Sequence, residues 1–432
     1  MGPVRLAICR TSTAVSERRP DVGAELAASS LLALRFGDDT VYLGRDWSSF
    51  AKSAERTGVA VREAPGARDL ERLHVVIQKG RLFQREHPDI PVLLDKGRFL
   101  LVDIPADQSG AFHETDVPCY SVRPLQQPQA AERERVVFDV HSRGTGRFRA
   151  GTPDPMIQAL VARLSKTSFE ADLAQLVGLP TRHSTSANYI AACDRAEQQF
   201  IAANCMTSRQ TFSVGSQQSQ NVIARRTGSQ PGSRGLILVT AHLDSVNHEG
   251  TPSSPAPGAD DDGSGSAGVL EIARALKEHP GGHDLCFVLF GGEEQGLFGS
   301  KHFVQSLSEA ERSRITAVVH MDMIGKLNIP TPTVLLEGAP LSQSVIDGLA
   351  TCAATYTNLN VETSTSAANS DHVSFIRKGV PAVLTIEGAD SGNEDIHSAR
   401  DTIDRISLDL ALETLKMNTA FVAEQLGVRG QS

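Results

Sequence analysis

Four apolar runs, residues 236–240, 285–290, 315–319 and 382–386, constrain the fold of this chain more than any other feature of its sequence. They are apolar at nearly every position instead of at alternate ones, which is the pattern of strands buried on both faces. Helical patterns separate them. The clearest spans 266–279, where Val269, Ile272, Ala273 and Leu276 share one face. Alternation of such strands with helices predicts an α/β fold: a mixed, mostly parallel sheet flanked by helices on both faces.

The first third reads differently. Residues 31–36 and 40–43 flank Gly37-Asp38-Asp39 in a hairpin pattern. A polar helix is expected over 47–56, and short strands over 59–61, 74–78, 92–94 and 99–104. This predicts a smaller α/β domain over 1–125, without a catalytic constellation. The polar stretch 126–135 and the Gly/Pro-interrupted stretch 144–155 mark a linker region, 126–153. Helical periodicity over 156–164, 169–177 and 188–203 then opens a larger domain, 154–432.

Two domains suit 432 residues. A net charge of −9 argues against nucleic acid and anionic membrane surfaces as partners. No apolar run approaches the length needed to span a bilayer. The amino terminus lacks a signal peptide's long apolar stretch, so a cytoplasmic location is the expectation. The six cysteines are scattered without a CxxC pair and are expected to remain thiols.

Each apolar run leads into acids or histidines. Residues 236–240 run into Ala241-His242-Leu243-Asp244, 285–290 into Gly291-Gly292-Glu293-Glu294, and 315–319 into His320-Met321-Asp322. The fourth leads through a short loop to Asp395-Ile396-His397, and Gly258-Ala259-Asp260-Asp261-Asp262-Gly263 stands just before the 266–279 helix. Functional groups of open α/β sheets gather beyond the carboxyl ends of the strands, so these clusters should converge on one crevice. Imidazole and carboxylate donors suit Zn²⁺, and two ions need a bridging carboxylate with further ligands on each. His242, Asp261, Glu294, Asp322 and His397 supply two imidazoles and three carboxylates. Neighbouring side chains in a loop point apart, so one of Glu293 and Glu294 can bind metal while the other addresses a water. Asp244 is placed to orient the His242 imidazole from behind.

The order His-x-Asp, Gly-Ala-Asp-Asp-Asp-Gly, Glu-Glu, Asp-Met and a late His resembles the M28 family of zinc aminopeptidases, over residues 154–428. The helical lead-in at 173–203 and Asn221-Val222-Ile223-Ala224 share in it. The resemblance implies two zinc ions, one held by His242 and the other by His397, with Asp261 bridging and Glu294 and Asp322 completing the two sets. Glu293 would be the general base. Ser370-Asp371-His372 resembles the family's segment beside the substrate pocket, so Ser370 and Asp371 are expected to bind substrate. The implied activity is that of an aminopeptidase on peptides with a free amino terminus. Relatives with a single working zinc cyclise glutaminyl peptides, which leaves a glutaminyl cyclase-like acyltransferase open. A metal-stabilised binding protein without catalysis is the third reading.

Taken singly, His242 or His397 would more often be a core or surface imidazole, and Glu293-Glu294 solvated acids at a helix start. Their coincidence argues for a site. Asp260 and Asp262 read as loop or N-cap acids, and His248, His320 and His372 as structural or outer groups. Gly263-Ser264-Gly265-Ser266-Ala267-Gly268 satisfies GxGxxG, but a Pro/Ser-rich loop stands where that motif requires a strand. Ser264-Gly265-Ser266-Ala267-Gly268 misses GxSxG by its first residue. Neither is expected to function.

Overall fold

The computed structural model describes residues 3–10, 21–28, 30–112, 119–125, 134–141, 148–278 and 281–428. The chain divides into two compact units, Met1–Val140 with Ser364–Asn369, and His141–Thr363 with Ser370–Ser432.

In the first unit, β1 (Arg5–Arg10), β2 (Leu32–Phe36), β3 (Asp39–Gly44), β4 (Val61–Glu63) and β9 (Glu134–His141) form one sheet in the order β9-β2-β3-β1-β4. A second sheet has the order β6-β7-β5-β8, from β5 (Leu73–Gln78), β6 (Val92–Lys96), β7 (Phe99–Asp103) and β8 (Tyr120–Pro124). The β2–β3 hairpin closes with Phe36 opposite Asp39, and Gly37 takes the left-handed φ of +58° that a two-residue turn demands. Two boundaries differ from expectation. The strand expected at 59–61 begins at Val61, and the polar stretch 126–135 ends inside β9, which is anchored by Phe138 stacked 4.7 Å from Phe99. Ring stacking and the pairing of β9 with β2 outweigh the polar character of Glu134 and Arg135. Residues 126–133 and 142–147 of the expected linker lie outside the described residues.

The second unit carries β10 (Met206–Val214), β11 (Gln217–Arg226), β12 (Leu236–His242), β13 (Asp284–Phe290), β14 (Ile315–Met321), β15 (Thr333–Glu337), β16 (Asn360–Ser364) and β17 (Ala382–Glu387). Their order is β10-β11-β13-β12-β14-β17-β15-β16. The four apolar runs are thus the neighbours β13-β12-β14-β17, and they are mutually parallel. β11 joins β13 antiparallel, and β15 joins β17 antiparallel, which makes the sheet mixed around a parallel centre.

Alternate residues of each strand feed different cores. Ile237, Val239, Phe287, Leu289 and Val319 pack with Val269 and Ile272 of the helix Gly265–Ala275 and with Phe200 of the helix Ala187–Ala202. Leu238, Val288, Phe290 and Val318 pack instead with Phe303 and Val304 of the helix Phe298–Ser306. Both faces are covered, which is why these strands are apolar throughout. The packing is worth a great deal: Phe287, fully buried and 5.8 Å from the Phe200 ring, would cost about 3–5 kcal/mol if truncated to alanine. From β12 the chain passes through Gly265–Ala275 to β13 on one side, then returns through Phe298–Ser306 to β14 on the other. That reversal opens a crevice beyond the carboxyl end of β12.

Among the described residues no helix is long and apolar enough to cross a membrane. All six cysteines are buried thiols.

Candidate metal centre

His242 is the last residue of β12, and its ring is fully buried. Nδ1 lies 3.2 Å from the Asp244 carbonyl, which can only accept, so Nδ1 carries a proton, and the neutral ring then presents its lone pair at Nε2. That lone pair faces two acceptors, Asp261 Oδ1 at 3.1 Å and Asp322 Oδ1 at 3.7 Å, and it makes no hydrogen bond. Asp261 turns its other oxygen, Oδ2, toward His397 Nε2 at 3.0 Å, and His397 Nε2 is in turn 3.2 Å from Glu294 Oε2. One carboxylate therefore stands between two imidazoles, one from the end of β12 and one from the loop after β17. Glu294 Oε1 is buried and makes no hydrogen bond. Lone pairs aimed at one another in a buried space are the arrangement that cations resolve, and the donor set of imidazole and carboxylate fits zinc.

The five expected ligands come from four strand ends and the loop before Gly265. Glu293 and Glu294 follow β13 through Gly291 and Gly292, the latter at φ +67°, a conformation that lets the chain turn sharply off the strand. Asp322 follows β14 directly. His397 lies in the loop after β17 at φ +54°. Asp261 sits in the irregular turn Ala259–Ser264, where the Asp261–Asp262 peptide is cis. Glu293 is also brought to the site, with 1% of its surface exposed, whereas His397 and Glu294 keep 6% each.

Other residues hold this arrangement. The Asp244 carboxylate accepts the amide N–H groups of both Glu293 and Glu294 at 3.3 Å, so it fixes the Glu-Glu turn as well as backing His242. Asp262 accepts from the amides of His242, Gly265 and Met323, tying β12, the helix and the residues after β14 together. A side chain at Gly265 would overlap the Asp262 carboxylate and the Met321 carbonyl, which explains the glycine. The GxGxxG match is therefore the capped start of a packed helix. Asp260 accepts from Gly325 and Asn393, the structural role expected of it.

Ser370 and Asp371, expected to bind substrate, lie beside Asp322 at the carboxyl edge of the strands. Both are fully buried. Ser370 Oγ donates to Asp322 Oδ2 at 2.6 Å, so it engages one oxygen of an expected ligand. His320 lies behind Ser370, and His372 Nε2 is 3.6 Å from Glu337. His248 is exposed, with its ring 4.5 Å from that of His397.

Three participants escaped the sequence reading. The Arg182 guanidinium is fully buried and donates to the carbonyls of Leu243, Pro257 and Gly258, joining the His242 loop to the Asp261 loop. Asp401 accepts the amides of Asp260 and Asp261 at 2.9 and 3.0 Å. Glu387, the last residue of β17, accepts from Asn328 and Lys326. Only Glu387 carried a signal, an acid at the end of an apolar strand.

Electrostatics agree with the geometry. Burial pushes Asp260 up to about 6, Asp371 to about 7 and Asp401 to about 8, and raises Glu294, Asp262 and Glu387 above the usual carboxyl range. Burial alone would lower His242, but Glu293, Asp244, Asp261 and Asp322 outweigh it and raise its pKa well above the usual imidazole value. A crowded, buried set of acids that resists ionisation is what a positive charge at its centre would relieve.

Comparison with known proteins bears on the same residues. Residues 221–422 match the description of peptidase family M28. The chain is 31% identical to leucine aminopeptidase 1 of Fusarium vanettenii over 318 residues, 67% of this chain and 79% of that protein. It is 33% identical to aminopeptidase YwaD of Bacillus subtilis over 48% of this chain, but spans only 45% of that relative's length. The fold resembles a solved zinc aminopeptidase from Bacillus subtilis, with a TM-score of 0.54 and 19% identity, covering 60% of this chain and 95% of that one. The matched segment contains His242, Asp261, Glu293, Glu294, Asp322 and His397, the residues gathered at the carboxyl edge of the parallel strands, and on these grounds the chain belongs to peptidase family M28.

Proposed function

We propose that this chain is a two-zinc aminopeptidase that hydrolyses the first peptide bond of peptides with a free amino terminus. The observation that carries the reading is Asp261, whose two oxygens face His242 and His397 at 3.1 and 3.0 Å. His242, Asp261 and Asp322 would hold one ion, and His397, Asp261 and Glu294 the other. Bound there, the pair would supply Lewis acidity to a substrate carbonyl and make a water more acidic.

The chain's own groups do the rest. Glu293 is a buried ionisable side chain beside the ligand set and outside it. Its carboxylate takes the proton from the attacking water and returns it to the leaving amine nitrogen. Asp244 holds Glu293 and Glu294 in place through their amides. Glu294 lies at the more open end, where its negative charge favours an incoming α-ammonium group over a blocked terminus.

The test is metal content by elemental analysis, with hydrolysis of aminoacyl-p-nitroanilides before and after chelation. Two zinc ions per chain, activity lost on chelation and restored by Zn²⁺, and resistance of N-acetylated peptides are expected. Cyclisation of glutaminyl peptides without hydrolysis would replace the reading with the acyltransferase, and a loaded centre inert to the whole panel would replace it with a binding protein.

A further inference from the structure

Behind Asp322 runs a chain of three hydrogen bonds among fully buried side chains. Ser370 Oγ lies 2.6 Å from Asp322 Oδ2, His320 Nε2 lies 2.8 Å from Ser370 Oγ, and Thr240 Oγ1 lies 3.0 Å from His320 Nδ1. The direction of every bond can be worked out from the proton count. A carboxylate only accepts, so Ser370 spends its single hydroxyl proton on Asp322. Ser370 must then accept from His320, which places a proton on Nε2. Were Nδ1 protonated as well, the buried Thr240 hydroxyl would keep its own proton without an acceptor, so Nδ1 is the acceptor and Thr240 the donor. The chain reads Thr240 to His320 to Ser370 to Asp322. The His320 backbone is fixed independently, since its carbonyl accepts from Thr385 Oγ1 at 3.3 Å, and Asn418 donates to that hydroxyl.

We infer that His320 is a positioning residue for one of the two metal sites: through Ser370 it engages Asp322 Oδ2 and so reserves Oδ1, the oxygen facing His242, for the ion. This rests on the two-zinc reading above. Asp322 Oδ1 faces His242 Nε2 at 3.7 Å, whereas His397 Nε2 faces Asp261 and Glu294 at 3.0 and 3.2 Å. Loss of the donor at His320 should therefore weaken one site selectively. Groups that orient a ligand from behind typically account for a 10- to 100-fold difference in metal affinity.

Two amide substitutions separate this role from mere packing. His320→Gln can place an N–H near the former Nε2 and keep the donor to Ser370. His320→Asn reaches only as far as Nδ1 and loses it. Zinc titration of the full chain by calorimetry should show two binding steps for the parent, one of them weakened about 10- to 100-fold in His320→Asn, and both restored to within about threefold in His320→Gln. Equal affinities in all three proteins, or equal weakening of both steps, would overturn the inference, provided that thermal unfolding shows the metal-free variants folded. A second readout needs no metal. Long-range ¹H–¹⁵N spectra of the metal-free protein should report a proton on His320 Nε2, and a proton on Nδ1 would overturn the relay. A protein that binds no zinc yet shows the Nε2 proton would instead refute the two-zinc reading while the hydrogen-bond chain stands.

Discussion

Replacing Glu293 by glutamine isolates the proposed proton transfer from everything else at the site. The side chain is 1% exposed, and its turn is held by the Asp244 carboxylate acting on the Glu293 and Glu294 amides at 3.3 Å. Glutamine matches its shape, so the turn should survive. Glu294, not Glu293, stands in the proposed ligand set, 3.2 Å from His397 Nε2, so both ions should remain. What disappears is a base. Positioned acid–base groups contribute about 10²- to 10⁴-fold, and at 1.36 kcal/mol per decade this is about 3–5 kcal/mol of transition-state stabilisation. The expected result is kcat lower by that factor on leucyl-p-nitroanilide, with KM little changed and the acid limb of the pH profile lost. Elemental analysis on the same sample must still give two zinc ions. Undiminished turnover with both ions present would remove Glu293 from the chemistry, and loss of an ion would move it into the ligand set.

Three further outcomes follow from the geometry. Zinc at a thousandfold excess over its dissociation constant should stabilise the chain by about 4 kcal/mol per site, because it binds a cradle that exists only when folded; a melting temperature indifferent to chelator would contradict this. Arg182→Met should destabilise by about 3–5 kcal/mol in urea unfolding, since it leaves the Leu243 and Pro257 carbonyls without their guanidinium donor and removes a cation beside Asp401, Asp262 and Asp244; a change below about 1 kcal/mol would show the loops are held otherwise. Asp284 presents a pH test at the opposite edge of the sheet. Burial would raise its carboxyl, but the Gly228 amide, Arg234 and Arg314 outweigh that and hold it below the usual range. Its stabilisation is therefore present above the unfolded carboxyl value and is lost as pH falls through the lower folded one. Asp284→Asn should cost about 1–3 kcal/mol at neutral pH, with the gap closing in acid; a gap constant down to the acid transition would refute the linkage.

The elements of the candidate metal centre were legible because they obey local rules. Continuous apolarity marked β12, β13, β14 and β17, and an acid or histidine at the end of each pointed to their shared edge. Their adjacency and parallel order are what turn four separate signals into one crevice. Arg182 illustrates what was hidden: nothing in Thr181-Arg182-His183 reveals burial, since three of its acceptors are carbonyls 61 to 76 residues away. Asp401 likewise reads as a polar loop residue until its carboxylate is seen beneath the amides of Asp260 and Asp261.

By itself, then, the sequence determined the parallel strands, their covering helices and the identity of the acids and histidines beyond them, because periodicity and residue chemistry are properties of neighbours along the chain. Only the tertiary structure decided that Ser370 stands behind Asp322, that His320 completes a buried relay, and that Asp244 braces the Glu293-Glu294 turn. Those roles depend on which buried donor meets which acceptor across long separations. Hydrogen-bond geometry at about 3 Å settles that, and a one-dimensional pattern carries no record of it.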